Sequence, residues 1–358
     1  MSSMEEIRIF YPDIYKWVVE LFTATGMSEE DATITTDNLL SSDLRGIYSH
    51  GLIRLPIYIK RLLLKGVNPL AKPEVVREFG ATALMDGNNG MGQVVGVHAM
   101  KLAIEKARQF GTGYVSVRGS NHYGAAAHFA RMALEEDMIG ITTTAGSNVM
   151  APWGGTQSLL SNNPVAVAIP ADRHESLVLD MAHSVVARGK ILVAAKKKQA
   201  IPETWGLAPD GSPTTDPEEA LRGTLRPVGD YKGYGMALVI GLLSGILPGG
   251  SFGLEIKDIY QDFTNAQNTG HTMQAVRIDC FMDPSEFKKR VDDAIDLMHQ
   301  SPKAIGFEEI LVPGEPESRM EKINREQGIP YSVALLKDLT TVSTDLGVSV
   351  PTQVLASQ

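Results

Sequence analysis

Between residues 81 and 312, short apolar runs rich in β-formers alternate with segments of helical periodicity, which restricts the chain to an α/β fold. Strands are predicted at 82–86, 114–117, 139–144, 165–169, 177–181, 273–278 and 309–312. Helices are predicted between them at 94–110, 125–134, 185–198, 234–247 and 284–299. The chain's ends read differently. Ser28-Glu29-Glu30-Asp31 resembles a capping box, Leu39, Leu40 and Leu44 follow at helical spacing, and Gly46 stops the pattern. A second helix is predicted over 52–64, residues up to about 75 read as helical, and the tail from Glu317 is helical again. The expected organisation is therefore a helical domain from 1–75 and 317–358, and an α/β domain over 76–316. The Pro-, Gly- and Thr-rich stretch 201–230 is long for a passive connector and reads as a functional loop.

Charge narrows the partners. The chain carries 33 Lys and Arg against 42 Asp and Glu, so no nucleic-acid partner is expected. A small anion in a locally positive pocket stays compatible with that balance. Cys280 is the lone cysteine, which leaves no intramolecular disulfide and no cysteine zinc site. The N-terminal residues lack the apolar run of a signal peptide, and the apolar stretch 236–247 is too short to span a bilayer. A cytoplasmic protein without a membrane partner is expected.

The segment Asp86-Gly-Asn-Asn-Gly90-Met-Gly92-Gln-Val-Val-Gly96 imitates a dinucleotide fingerprint. Its spacing is G-x-G-x-x-x-G, and the next predicted strand ends in Val117-Arg118, with no acid to take a ribose. It reads better as a glycine turn that starts a helix close to a sheet. Asp43-Leu-Arg-Gly-Ile-Tyr-Ser49-His50-Gly51-Leu-Ile-Arg54 is the densest polar cluster of the N-terminal part. His50, Arg54 and Tyr58, four apart, would share one helical face and offer a proton donor, a carboxylate clamp and a phenol. The alternative is that Ser49 caps a helix and His50 is a solvated loop residue. Gly119-Ser-Asn121-His122-Tyr123-Gly124 follows a predicted strand, where α/β sheets collect ligands, although an ordinary capped loop would look the same. His122 and His128 are spaced H-x5-H, and neither H-E-x-x-H nor G-x-S-x-G occurs, so no metal and no serine nucleophile is expected. Asp180, at a strand end, could orient a histidine or hold a ribose hydroxyl. Lys232, flanked by glycines before an apolar helix, suits a phosphate or ribose. Pro313-Gly314-Glu315-Pro316 is a rigid turn.

In this order these segments, with Ala151-Pro-Trp-Gly-Gly155, Leu179-Asp180-Met181-Ala182 and Lys232-Gly-Tyr-Gly235, closely resemble the malate/L-lactate dehydrogenase family, which includes sulfolactate and ureidoglycolate dehydrogenases and cyclic imine reductases. The resemblance runs over nearly the whole chain. It implies a mixed β-sheet flanked by helices, not a Rossmann fold, plus a helical domain from both chain ends. It further implies NAD or NADP as cofactor, a homodimer, and an active site near the subunit interface. It places the family's two acid/base histidines on His50, with Ser49 beside it, and on His122. Substrate contacts fall on Arg54 and Tyr58. Cofactor contacts fall on Ser147, on Leu179, Asp180, Met181 and Ala182, on Lys232, and on Gly314, Glu315 and Pro316. Two residues depart from the family pattern and could shift preference: Tyr48, where an acidic or small residue is common, and His183, where Thr or Ser is common.

The reading that follows is hydride transfer between nicotinamide C4 and C2 of a small 2-hydroxy or 2-oxo acid, with malate first and NAD ahead of NADP. Either His122 or His50 handles the proton. Arg188 or Lys190 could meet a second carboxylate. The competing reading is a catalytically silent dinucleotide-binding protein, which would need neither histidine.

Overall fold

The structure, a computed structural model, describes residues 6–355. Residues 1–5 of the segment read for a leader, and residues 356–358 of the tail, lie outside the described residues. In chain order come β1 (Glu6–Ile9), α1 (Tyr11–Thr23), α2 (Glu29–Leu44), two 3-10 turns (Tyr48–His50 and Leu52–Arg54), α3 (Leu55–Leu63), β2 (Glu74–Phe79), β3 (Thr82–Asp86), α4 (Gly92–Phe110) and β4 (Thr112–Ser120). Next are α5 (Ala126–Met132), β5 (Met138–Thr144), β6 (Val165–Ile169), β7 (Leu177–Met181), α6 (Arg188–Lys196), β8 (Gly206–Leu207), α7 (Pro217–Arg222), β9 (Thr224–Leu225) and α8 (Tyr231–Gly241). The chain ends with β10 (Thr269–Arg277), α9 (Pro284–His299), α10 (Glu315–Gln327), β11 (Ile329–Ser332), α11 (Val333–Asp345) and α12 (Thr352–Leu355).

Seven strands form one mixed sheet in the order β2-β3-β4-β10-β5-β6-β7. The pair β3–β4, joined through α4, is parallel, and every other neighbour is antiparallel. This is the α/β architecture that the alternation of elements predicted, and the mixed sheet with flanking helices that the resemblance implied. Local chemistry explains several boundaries. Ser28 Oγ accepts the Asp31 N–H at 3.1 Å and starts α2. Asp283 accepts from Ser285 N and Glu286 N, with Pro284 at the first helical position of α9. One hydrophobic cluster unites both chain ends, packing Trp17, Leu21, Phe22 and Leu40 with Ile329, Leu336 and Leu339. There the Trp17 indole N–H donates to Ser343 Oγ at 2.9 Å. A second cluster lies between α4, α5 and the sheet, built on Val95, Met100, Phe129, Val115 and Met273.

Some expected elements differ. Residues 309–312 form no strand: Val312 N bonds the Glu315 carboxylate and Pro313 O accepts from Val178 N, so the segment turns beside β7. The chain ends are not wholly helical, because β1 pairs antiparallel with β11 and β2 edges the main sheet. The helix expected over 52–64 starts as a 3-10 turn and becomes α-helical at Leu55. Residues 201–230 carry α7 and the small β8–β9 ribbon.

Strand direction sets the site. The carboxyl ends of β3, β4, β5 and β7 lie at one end of the sheet, as the pairings Asp86↔Arg118, Thr269↔Ser120, His271↔Thr144 and Val165↔Met181 show.

Candidate active site

The Ser49–His50 turn is built on a buried acid. Asp43, in the last turn of α2, receives the Leu52 N–H at 2.9 Å and the Tyr331 hydroxyl at 3.0 Å on Oδ2. Asn324 Nδ2 donates to the carbonyls of Asp43 (3.2 Å) and Leu44 (3.0 Å), so α10 and β11 clamp the end of α2. A Cβ on Gly51 would overlap the Asp43 carboxylate, which explains the glycine of Ser49-His50-Gly51. Gly51→Ala should therefore cost about 1–3 kcal/mol of stability and disturb the His50 turn, as urea denaturation would read. Burial pushes Asp43 up to about 7. With the folded pKa above the unfolded value, its contribution is full below about pH 4 and is lost as pH rises through about 7. Wild type should thus lose stability over that range relative to Asp43→Asn, and identical slopes would refute this.

His122 is set by the glycine cluster that imitates a fingerprint. Asn121 Nδ2 donates to Asn89 Oδ1 (3.0 Å) and Gly90 O (2.9 Å), and Asn121 Oδ1 accepts from Arg61 Nη2 at 3.1 Å. A Cβ on Gly92 would overlap the backbone carbonyls of Asn121 and His122, so α4 starts hard against this loop. The His122 N–H donates to Gln267 Oε1 at 3.0 Å. Its ring Nδ1 accepts from Gly124 N at 3.3 Å and contacts Tyr58 Oη at 2.7 Å. The Gly124 N–H makes Nδ1 an acceptor, so Tyr58 donates to it and the neutral ring carries its proton on Nε2.

His50, Arg54, Tyr58 and His122 converge. The two imidazoles stack with centroids 5.9 Å apart and planes at 17°, and Tyr58 lies 6.0 Å from the His122 ring. His50, Arg54 and Tyr58 do not share one helical face as their four-residue spacing suggested, because the backbone breaks at Gly51 and His50 stands in a separate 3-10 turn. Ser49 Oγ meets His50 Nδ1 at 2.9 Å. Arg54 Nε donates to Ser49 O at 2.7 Å, and its guanidinium lies 5.4 Å from the Tyr260 ring centroid. Burial, then the Arg54 charge, lowers His50 to about 3 and holds His122 well below the usual imidazole range. Burial raises Tyr58 to about 12. The free site therefore holds two neutral imidazoles, a neutral phenol and one cation.

The other predicted residues sit along β7 and the loops beside it. Asp180 Oδ2 accepts the Ala127 N–H at 2.7 Å at the start of α5. Leu179 and Met181 continue this edge strand, and Ala182 follows its carboxyl end. Hydrogen bonds from His183 N to Asn162 O and from Val228 N to His183 O bring the segment before α8, and so Lys232, beside Ala182. Ser147 Oγ lies 3.5 Å from Lys257 O. Gly314 packs on Val178, near the other end of β7, ahead of Pro316 in the first turn of α10. The Glu315 carboxylate is engaged by Val312 N at 3.0 Å and His299 Nε2 at 3.1 Å. Among the described residues an exposed Lys232 without an ion pair, an Asp180 Oδ1 without a hydrogen bond and the edge of β7 beyond Val178 suit the phosphates and ribose hydroxyls of a dinucleotide.

Sequence reasoning missed four supports: Arg61, Tyr260, Gln267 and His271. Arg61 is buried and also binds the carbonyls of Gly66, Asp262 and Asn265, which fastens the 262–265 segment behind the site. His271 bridges Ser120 Oγ and Thr144 Oγ1, both at 2.7 Å, and stacks on Tyr123. The departing residues have defined places. Tyr48 Oη accepts from Asn324 at 3.4 Å, and buried His183 donates from Nδ1 to Asn163 O at 2.7 Å.

The sequence profile described as malate/L-lactate dehydrogenase matches residues 9–340. The chain belongs to the malate/L-lactate dehydrogenase family. It is 42% identical to the L-sulfolactate dehydrogenase of Methanocaldococcus jannaschii, over 94% of this chain and 96% of that one. It is 41% identical to the malate dehydrogenase of Pyrococcus abyssi, over 96% of each chain. The solved structure of the M. jannaschii sulfolactate dehydrogenase superposes with a TM-score of 0.90 at 40% identity, covering 96% of this chain and 98% of that one. This member of the malate/L-lactate dehydrogenase family is accordingly a 2-hydroxy acid dehydrogenase that uses a nicotinamide cofactor and a small-molecule substrate.

Proposed function

We propose that the enzyme interconverts malate and oxaloacetate, with NAD as its first cofactor, and that His122 moves the proton. The convergence of His122, Tyr58, His50 and Arg54 carries this reading. A bound nicotinamide supplies or accepts the hydride at substrate C2. Asp180, Ala182 and Lys232, with Ser147 and Gly314 to Pro316, would hold it. With substrate bound the ring takes a solvent proton on Nδ1, which the Tyr58 hydroxyl turns to accept; the imidazolium then gives its Nε2 proton to the C2 oxygen in reduction, and the neutral ring takes it back at Nε2 in oxidation. His50, stacked on that ring and held by Ser49, is the second proton-handling group.

Arg54, held through Nε, keeps its terminal nitrogens for the substrate's C1 carboxylate. That carboxylate offsets the charge that depresses both imidazoles, so substrate binding makes them better bases. For a second anionic group the proposed partner is Arg188. Its charge reaches Asp258, two residues before Tyr260, the ring that stacks on Arg54. Malate and sulfolactate both carry such a group, and relatives bear both names. NADH and NADPH oxidation should be followed with oxaloacetate, 3-sulfopyruvate, pyruvate and a cyclic imine. Oxaloacetate should show the highest kcat/KM, and Arg188→Gln should narrow its lead over pyruvate by about tenfold. A preference for pyruvate or the imine would end the malate reading.

A homodimer is proposed with it. Met236, Val239, Leu243, Ile246 and Leu247 leave an exposed apolar face on α8 and the turn after it, more than an isolated soluble chain usually shows.

A further inference from the structure

A cavity of about 320 Å³ lies between the end of α2, helix α5, helix α10 and the start of β7. Four cations line it, Arg45, Arg131, Lys322 and Arg325, against two carboxylates, Glu175 and Glu321. Glu321 is shared three ways: its carboxylate is 3.1 Å from Arg45 Nη1, 3.7 Å from Arg131 Nη2 and 2.7 Å from Arg325 Nη2. Lys322 takes Glu175 at 2.7 Å. The cavity therefore holds two positive charges in excess. Arg45 is buried at 5% exposure, and its Nε is enclosed without a partner. Mutual repulsion is visible at Arg131, whose pKa is lowered first by burial and then by Arg45.

Three guanidiniums and an ammonium, with Ser176 and Ser318 at the wall, make a donor set for tetrahedral oxygens. A phosphate monoester carries about −1.5 to −2 at neutral pH, and a cationic cavity draws inorganic phosphate to the same dianion, which matches the excess. A monocarboxylate would leave half of it uncompensated. We infer that this cavity binds a phosphate dianion. Two sources share that chemistry: free inorganic phosphate, and the 2′-phosphate of NADPH. The second is open because Asp180, at the strand end proposed for the cofactor, lies within electrostatic reach of Arg45. That arm rests on the dehydrogenase reading.

Inorganic phosphate should be titrated calorimetrically into the intact protein, with ionic strength held constant by chloride. Saturable one-site binding is expected, weakened about tenfold by Arg131→Gln and by Lys322→Gln. These side chains are 32% and 68% exposed, so both variants should fold. Fluorescence titrations with NADH and NADPH then separate the sources. If the 2′-phosphate occupies the cavity, NADPH displaces phosphate, and each variant lowers affinity for NADPH about tenfold but not for NADH. If free phosphate is the ligand, it binds equally well with NADPH saturating, and the variants leave both cofactors unaffected. Phosphate binding that neither variant changes overturns the inference, as does no phosphate binding with an unchanged NADPH-to-NADH ratio. NADH-dependent oxo acid reduction persisting in both variants would show that such a failure leaves the dehydrogenase reading intact.

Discussion

Replacing His122 with alanine should lower kcat for 2-oxo acid reduction by about 10²–10⁴-fold, the usual worth of a positioned general acid. NADH affinity should hardly change, because the proposed cofactor contacts lie along β7 and at Lys232. The neighbouring variants give the result its meaning. Tyr58→Phe removes the donor to Nδ1 and should cost about tenfold, since the ring is then held only by the 3.3 Å bond from Gly124. His50→Ala should fall between the two if the stacked ring tunes His122, and should match His122→Ala if His50 is itself the donor. Single-turnover mixing of oxo acid with the preformed NADH complex separates loss of chemistry from loss of binding. Full turnover by His122→Ala would remove the central residue from the mechanism.

The second large effect is expected at Arg54. Truncating one partner of a buried, hydrogen-bonded charge pair costs about 2–5 kcal/mol, so Arg54→Gln should reduce kcat/KM for oxaloacetate by about 10²–10³-fold, mostly through KM. Arg54→Lys should recover little of this, because an ammonium cannot reproduce the fork or keep the Nε bond to Ser49 O. Arg54→Gln, which removes the charge, should also ease titration of both imidazoles toward their ordinary range, since Arg54 depresses each, whereas Arg54→Lys should not. An imidazole signal in NMR that titrates at higher pH in Arg54→Gln would show that coupling. An unchanged KM would place the carboxylate elsewhere.

Much of this was legible from residue order. The strands at 165–169 and 177–181 and the helix at 284–299 fall where their periodicity placed them, because each has a clear apolar face and turn or cap residues at its borders. The segment 309–312 looked like a strand but has no sheet partner beyond one bond at Val178. β2 and β11 were invisible for the opposite reason. β2 is an edge strand exposed along its length, and β11 is four residues whose partner lies more than 300 positions away. The site divides in the same way. His50, Arg54, Tyr58 and His122 stood out as polar residues among glycines beside apolar runs. Tyr260 and Gln267 lie in an irregular stretch without periodicity. His271 sits in the part of β10 ahead of residue 273, where consecutive buried polar residues break the alternation that marks a strand. The placing of His122 beside Tyr58 is a tertiary fact, and no spacing along the chain announces it.

The clamp on Asp43 has a consequence for how the enzyme is born. Its two outer jaws, Asn324 and Tyr331, are translated almost 300 residues after the turn they hold. A nascent chain should therefore stay inert until α10 and β11 have been made. A premature stop after α9 would yield a product with every proposed proton-handling group and no fixed geometry in which to use them.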